Sequence, residues 1–87
     1  MSDIHERIRR YIVDNFLFGD ADAMLPDEDS LLKSGVIDST GVLDMVLFLE
    51  EAFGFAVADE DVTPANFDSV AKLSAYVQAK TGLAIGA

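Results

Sequence analysis

Several residue types are absent or scarce in this chain of 87 residues, and each absence excludes a class of protein. The sequence contains no cysteine, so disulfide bonds and thiolate metal sites are excluded. Six lysine and arginine residues stand against sixteen aspartate and glutamate residues, giving a formal net charge of −10. A negative field of this size repels nucleic acids and anionic membranes and attracts basic partners. We therefore expect no nucleic acid and no membrane among its partners.

Long apolar runs are also missing. The first eleven residues contain Arg7, Arg9 and Arg10 and no apolar core, which argues against a signal peptide. No run approaches the length that crosses a bilayer. We therefore expect a cytoplasmic protein, and the chain length predicts one domain over residues 1–87.

Hydrophobic periodicity indicates an all-α fold. Apolar residues at helical spacing predict a first helix over Asp3–Phe16 and a second long helix over about residues 39–53. A Thr-Pro pair predicts a short helix over residues 64–67. A last long helix is predicted to start at Asp68 or Ser69 and to stop at Thr81-Gly82, with four residues facing inward: Val70, Leu73, Tyr76 and Val77. No segment alternates with the period of a β-strand. We expect a small bundle of three long helices and one short helix.

A long polar connection, residues 19–37, joins the first two helices. It contains Pro26 and the acidic run Asp27-Glu28-Asp29. A connection this long in a small domain is usually functional or held down by side chains. We expect five apolar side chains to hold it against the core: Leu25, Leu31, Leu32, Val36 and Ile37.

The second long helix carries more apolar residues than one buried stripe needs. Residues at i, i+4, i+7 and i+11 are predicted to face the core, with Met45 beside them: Val42, Val46, Leu49 and Phe53. This assignment leaves three residues on a wider apolar surface: Leu43, Leu47 and Phe48.

Asp38 and Ser39 open this helix. Most serines at a first helical turn cap the helix or are simply tolerated there. Asp38 is itself a favourable N-cap, so the Ser39 hydroxyl is free to point outward. A helix N-terminus attracts anions through its unpaired amides and its macrodipole, so a phosphodiester on Ser39 would be tolerated.

Catalysis and metal binding are both disfavoured. The segment Ile37-Asp38-Ser39-Thr40-Gly41 lacks the first glycine of the hydrolase nucleophile elbow, and the only histidine, His5, lies on another helix. Asp20-Ala21-Asp22 begins like a calcium loop, but leucines replace its glycine and its final glutamate. We therefore expect no enzymatic activity and no metal site.

Four segments together resemble the acyl carrier and peptidyl carrier protein family. They cover nearly the whole chain, and their order and spacing are more specific than any one of them: Asp27-Glu28-Asp29-Ser30-Leu31-Leu32, Gly35-Val36-Ile37-Asp38-Ser39, Leu49-Glu50-Glu51-Ala52-Phe53-Gly54 and Phe67-Asp68-Ser69-Val70-Ala71-Lys72-Leu73. The resemblance implies an acyl-carrier-protein-like bundle with a long loop between its first two long helices.

The resemblance also implies a modified serine. Ser39 would carry a 4'-phosphopantetheine arm taken from coenzyme A, and the arm's thiol would hold an acyl or aminoacyl group as a thioester. Asp38 would be the adjacent acid that helps the modifying phosphopantetheinyl transferase and its magnesium ion engage. The absence of cysteine agrees with this, because the chain has no thiol of its own to hold such a group.

Partner-binding residues are implied on the second long helix. Asp44, Glu50 and Glu51 match the acids that basic enzyme surfaces recognise in the family, and Leu43 and Leu47 match its exposed apolar contacts. Thr40 is a departure, because many members have leucine after the serine. The substitution bears on the choice of partners more than on the modification.

Two hypotheses about function follow. In the first, the chain is a free-standing, monomeric carrier that a ligase or transferase loads and that discrete biosynthetic enzymes with basic surfaces then bind. The pathway could be fatty acid, polyketide or nonribosomal peptide biosynthesis. In the alternative, the chain is an unmodified interaction module of the same fold that docks through its second long helix.

Overall fold

The computed structural model describes residues 3–82, so both ends of the predicted 1–87 domain lie outside the described residues. All regular structure in the described part is helical, with five α-helices: α1 Asp3–Phe16, α2 Leu31–Ser34, α3 Ser39–Phe53, α4 Pro64–Phe67 and α5 Val70–Thr81. Two 3-10 helices occupy Ala21–Ala23 and Asp59–Asp61. The prediction of an all-α bundle with three long helices is confirmed.

One short helix, α2, was not predicted. The Ser30 hydroxyl caps its start by accepting a hydrogen bond from the Lys33 amide at 3.0 Å. Gly35 ends the helix in the left-handed conformation, with φ at 81°. The signals for both ends are thus present in the sequence, but one helical turn is too short to show a hydrophobic period.

The core lies between α1, α3 and α5. Isoleucines spaced by four residues supply the α1 side, and buried residues of the connections complete it: Ile4, Ile8, Ile12, Leu31, Ile37, Met45, Leu49, Phe67, Val70, Leu73, Tyr76 and Val77. The prediction that Val70, Leu73, Tyr76 and Val77 face inward is therefore confirmed.

The long connection is held by four of the five predicted side chains. Leu31 and Ile37 are buried, and Leu25 and Val36 are half-buried against the core. The prediction for Leu32 was wrong, since 37% of its surface is exposed. Leu31 and Leu32 are consecutive on a one-turn helix and point about 100° apart, so both cannot face the same core.

The buried stripe of α3 agrees with the prediction at Leu49 and Met45 and differs from it elsewhere. Gly41, Met45 and Leu49 form its buried centre, at i, i+4 and i+8. Val42, Val46 and Phe53 are half-buried beside it. Phe48 was assigned to the outer surface, but it is half-buried because its ring stacks on Tyr11 of α1, with 4.1 Å between the ring centroids.

Two aspartates attach the long connection to the rest of the fold. Ser30 Oγ lies 2.8 Å from both carboxylate oxygens of Asp68, and the Leu32 amide donates to Asp68 Oδ1 at 3.0 Å. The Asp27 carboxylate accepts from Arg9 Nη1 at 2.6 Å, and its carbonyl accepts from the Ala71 amide at 2.9 Å. The connection is therefore fixed to both α1 and the start of α5.

The segment after α3 is held in a similar way. Glu50 is half-buried, and its Oε2 accepts a hydrogen bond from the Val57 amide at 2.9 Å. Further along, Asp61 accepts from the Tyr76 hydroxyl at 2.9 Å and lies 3.3 Å from Lys80 Nζ. Burial, followed by the bond to Asp61, raises the pKa of Tyr76 to about 12, while that bond lowers the pKa of Asp61.

Replacing Asp68 tests how firmly the connection is attached. Asp68→Ala leaves the Ser30 hydroxyl and the Leu32 amide without their acceptor, so we expect the free energy of unfolding to fall by about 1–3 kcal/mol. Urea unfolding followed by helical circular dichroism measures this. Asp59→Ala is the matched control, since the exposed Asp59 carboxylate makes no hydrogen bond within residues 3–82. Equal stability of the two variants would contradict this account.

Glu50 and Glu51 offer a second matched pair. Glu50→Ala removes the acceptor of the Val57 amide, whereas the exposed Glu51 carboxylate has no hydrogen bond or ion pair in the described part of the chain. Each substitution removes one negative charge, so general charge repulsion changes equally. We expect Glu50→Ala to unfold at lower urea concentration than Glu51→Ala, by about 1–2 kcal/mol of unfolding free energy. The reverse order would show that the Glu50 contact stabilises nothing.

Candidate functional site

The first turn of α3 is capped by Asp38. Asp38 is in the extended conformation, and its Oδ1 accepts a hydrogen bond from the Gly41 amide at 2.8 Å. Its carbonyl accepts the first helical bond, from the Val42 amide at 3.0 Å. The prediction that Asp38 caps this helix is confirmed.

Ser39 is the first residue of α3 and is exposed. Its hydroxyl has no hydrogen-bond partner within residues 3–82. His5 lies on α1, where its Nε2 is 3.9 Å from Asp27 Oδ2, so it is not paired with Ser39. Ser39 therefore combines an accessible hydroxyl with a helix N-terminus whose cap is supplied by its neighbour.

One side of α3 remains exposed along its length. We call it the exposed face, and its residues recur at i, i+3, i+4, i+7 and i+11: Thr40, Leu43, Asp44, Leu47 and Glu51. Leu43 is 62% exposed and Leu47 is 57% exposed, although both are large apolar residues. The exposed face begins one residue after Ser39 and combines apolar with acidic side chains.

Glu50 is in a different setting from the other acids of α3. Its carboxylate is half-buried and bound to the Val57 amide, whereas Asp44 and Glu51 are exposed. Among the residues that the sequence analysis assigned to partner binding, Glu50 therefore also has a structural contact. The helical period alone did not reveal it, because the contact is made to a later segment with no regular structure.

A row of aromatic rings connects α1 to α3 and was not predicted. Tyr11 stacks on Phe48, its ring also meets the edge of Phe16 at 5.9 Å between centroids, and Phe48 meets Phe53 at 6.1 Å. The Tyr11 hydroxyl donates to the Asp44 carbonyl at 3.2 Å. We call Phe16, Tyr11, Phe48 and Phe53 the aromatic row.

Charge and burial act on Tyr11 together. Burial raises the pKa of its hydroxyl, and the nearby charges of Asp44 and Glu51 raise it further. At the far end of the row, the Arg7 guanidinium lies 4.6 Å from the centre of the Phe53 ring and donates to the Ala52 carbonyl at 3.0 Å. α3 itself contains Asp44, Glu50 and Glu51 and no basic residue, so its surface charge is negative.

None of the helices in the described part of the chain combines the length and apolar character needed to span a membrane.

Comparison with known proteins identifies carriers, although no family model matches the chain. The D-alanyl carrier protein of Abiotrophia defectiva is 39% identical over 49 residues, which cover 56% of this chain and 62% of that protein. A protein of Serratia sp. (strain ATCC 39006) named "Probable acyl carrier protein PigG" is 28% identical over 75 residues, which cover 86% of this chain and 85% of that protein.

The first of these matches spans less than two thirds of the relative's length, and the second spans most of both chains. Both relatives are named as carriers, which supports a carrier role in general for this chain. The resemblance predicted from the sequence is therefore confirmed: the chain is similar in sequence to carrier proteins. Its all-helical fold is consistent with the bundle that the resemblance implied.

Proposed function

We propose that the chain carries acyl or aminoacyl groups on a 4'-phosphopantetheine arm attached to Ser39. The observation that carries the proposal is the accessible hydroxyl of Ser39 at the start of α3, beside a cap that Asp38 supplies. We further propose residues 1–87 as one carrier domain that acts as a monomer. In this role the chain is a substrate of enzymes, and its modified form is a phosphoprotein.

The residues present fit the arm's phosphodiester. The macrodipole of α3 and the amides of its first turn favour an anion at Ser39, which offsets the repulsion from nearby carboxylates. The Ser39 hydroxyl makes no hydrogen bond within residues 3–82, so esterifying it breaks none. Asp38 remains exposed while it caps the helix, so its carboxylate is accessible to the magnesium ion of a transferase.

Ser39 acts as the nucleophile toward coenzyme A in this proposal. Its Oγ forms a bond to the phosphorus that bears the pantetheine group, and the bond from that phosphorus to the departing adenosine 3',5'-bisphosphate breaks. The hydroxyl proton is lost to a base of the transferase, so no oxidant or reductant is required. The terminal thiol of the arm then supplies the thioester chemistry that a chain without cysteine lacks.

The exposed face of α3 is the proposed docking surface. Partners in this proposal are the phosphopantetheinyl transferase, a loading ligase or transferase, and downstream enzymes with basic surfaces. Asp44 and Glu51 steer such surfaces, while Leu43 and Leu47 give a small apolar centre once contact is made. Each contact is therefore expected to be weak and sensitive to salt.

Two neighbouring hydroxyls test the attachment site. We expect purified protein incubated with coenzyme A, magnesium and a broad-specificity phosphopantetheinyl transferase to gain one phosphopantetheine group in intact mass. Ser39→Ala should keep the helical circular dichroism and gain nothing, because no other residue replaces the nucleophile. Thr40→Ala is the control: it removes the adjacent exposed hydroxyl and should still be modified.

Modification of Ser39→Ala would contradict the assignment. An unmodified wild type beside an active control carrier would instead favour an interaction module that docks through the exposed face without an arm.

Charge reversal tests the docking surface. The double variant Asp44→Lys with Glu51→Lys should slow modification at low salt by about tenfold or more, because it reverses the charge that steers a basic partner. Asp59→Lys with Glu60→Lys changes the net charge equally at exposed positions outside α3 and should have a smaller effect. Equal slowing by both pairs would mean that net charge, and not the exposed face, governs the encounter.

A further inference from the structure

Gly41 lies where three parts of the fold meet. It is buried in the first turn of α3, two residues after Ser39. A Cβ atom at this position would lie 2.9 Å from Phe16 Cε1 and 3.1 Å from Ile37 Cγ2. Ordinary carbon–carbon contacts are about 3.5–4.0 Å, so the neighbouring side chains already occupy the space of a side chain here.

The missing side chain lets the end of α1 contact the start of α3 directly. Phe16 is the last residue of α1, and its ring lies against the backbone of Gly41. The Gly41 amide also donates to the Asp38 cap at 2.8 Å. The position of the first turn of α3 is thus set by a ring on one side and by a hydrogen bond on the other.

The rest of α3 depends on side chains for its position relative to α1. Phe16 contacts Tyr11, the next ring of the aromatic row. Tyr11 in turn stacks on Phe48, and its hydroxyl donates to the Asp44 carbonyl. The row therefore runs from the first turn of α3 to its last, and Phe16 is its member at the Ser39 end. A change at Phe16 or Gly41 acts first on the turn that contains Ser39.

We propose that Gly41 and Phe16 are positioning residues for phosphopantetheine transfer. Their contact fixes the first turn of α3 so that Ser39 Oγ is held in the orientation that a docked transferase requires. This inference rests on the proposed function, because it assigns roles in the modification of Ser39. It also explains why glycine is present where alanine would be the better helix former by about 1 kcal/mol: a Cβ atom at position 41 would force Phe16 or the first turn of α3 to shift.

The test is the kinetics of the same transfer with Gly41→Ala, Phe16→Leu and the double variant. The clash in Gly41→Ala is offset by its better helix propensity, so we expect the helix to form with its first turn displaced. Because a misplacement of about 1 Å can cost a reaction about 100-fold, we expect kcat to fall by about tenfold. KM for the protein should change little, since the exposed face is intact.

The double variant separates position from stability. Leucine has no atom at the position of Phe16 Cε1, so Phe16→Leu removes the closest contact to an alanine at position 41. Phe16→Leu alone should also lower kcat, because the ring no longer holds the turn. Together the two substitutions should recover much of the rate lost by Gly41→Ala, a coupling that independent losses of stability would not produce. Gln78→Ala, at an exposed position of α5, is the control.

Amide chemical shifts provide a readout that is independent of the transferase. In Gly41→Ala, the shifts should be concentrated at residues 37–41 and should be reduced in the double variant. All rates are taken well below the unfolding temperature of each variant.

A modified wild type with wild-type kcat in both single variants would overturn this inference and leave the proposed function intact. An unmodified wild type beside an active control carrier would overturn the proposed function and this inference with it. If Gly41→Ala does not fold, the kcat of Phe16→Leu decides alone: a lowered value supports the positioning role and an unchanged value contradicts it.

Discussion

The hydrogen bond from the Gly41 amide to Asp38 Oδ1, at 2.8 Å, holds the first turn of α3, and the arrangement around Ser39 depends on it. A helix start has amides without helical partners, and a serine in that place commonly satisfies one of them. Here Asp38 does so. The Ser39 hydroxyl is left exposed at the positive end of a helix whose charged side chains are all acidic.

That first turn is positioned by the whole fold. Ile37 is buried immediately before it, at the end of a connection that Asp27 and Asp68 attach to α1 and α5. Phe16 contacts it from α1. A small domain has a small hydrophobic core, and the apolar side chains of the long connection are only partly buried in it. The polar contacts of Asp27 and Asp68 therefore help to hold this connection in place. None of these contacts involves the exposed face of α3, where Leu43 and Leu47 remain exposed to solvent.

The sequence predicted the features that depend on local signals. The α1 bounds, the Asp38 cap, and the start of α4 at Pro64 follow from periodicity and from residues with strong positional preferences. The helical spacing placed Leu43 and Leu47 outside the predicted core, and both are exposed. The resemblance to carrier proteins came from motifs whose order can be read along the chain.

Contacts between distant segments could not be predicted in the same way. Gly41 is buried because Phe16 of α1 lies against it, and Phe48 is half-buried because Tyr11 of α1 lies against it. Glu50 and Glu51 are adjacent residues of the same type, yet only Glu50 accepts a hydrogen bond from the Val57 amide. The helical period of a sequence shows which residues share a face of one helix. It does not show which segment packs against that face, and that segment decides which side chains are buried or hydrogen-bonded.

The measurement that tests the central claim most directly is fragment mass spectrometry of the chain after incubation with coenzyme A and a phosphopantetheinyl transferase. Fragmentation of the peptide that spans residues 34–50 assigns the added mass to one hydroxyl. The account predicts one phosphopantetheine group on Ser39, with Thr40 unmodified. The added group on Thr40 or on another residue, or no addition while a control carrier is modified, would contradict it.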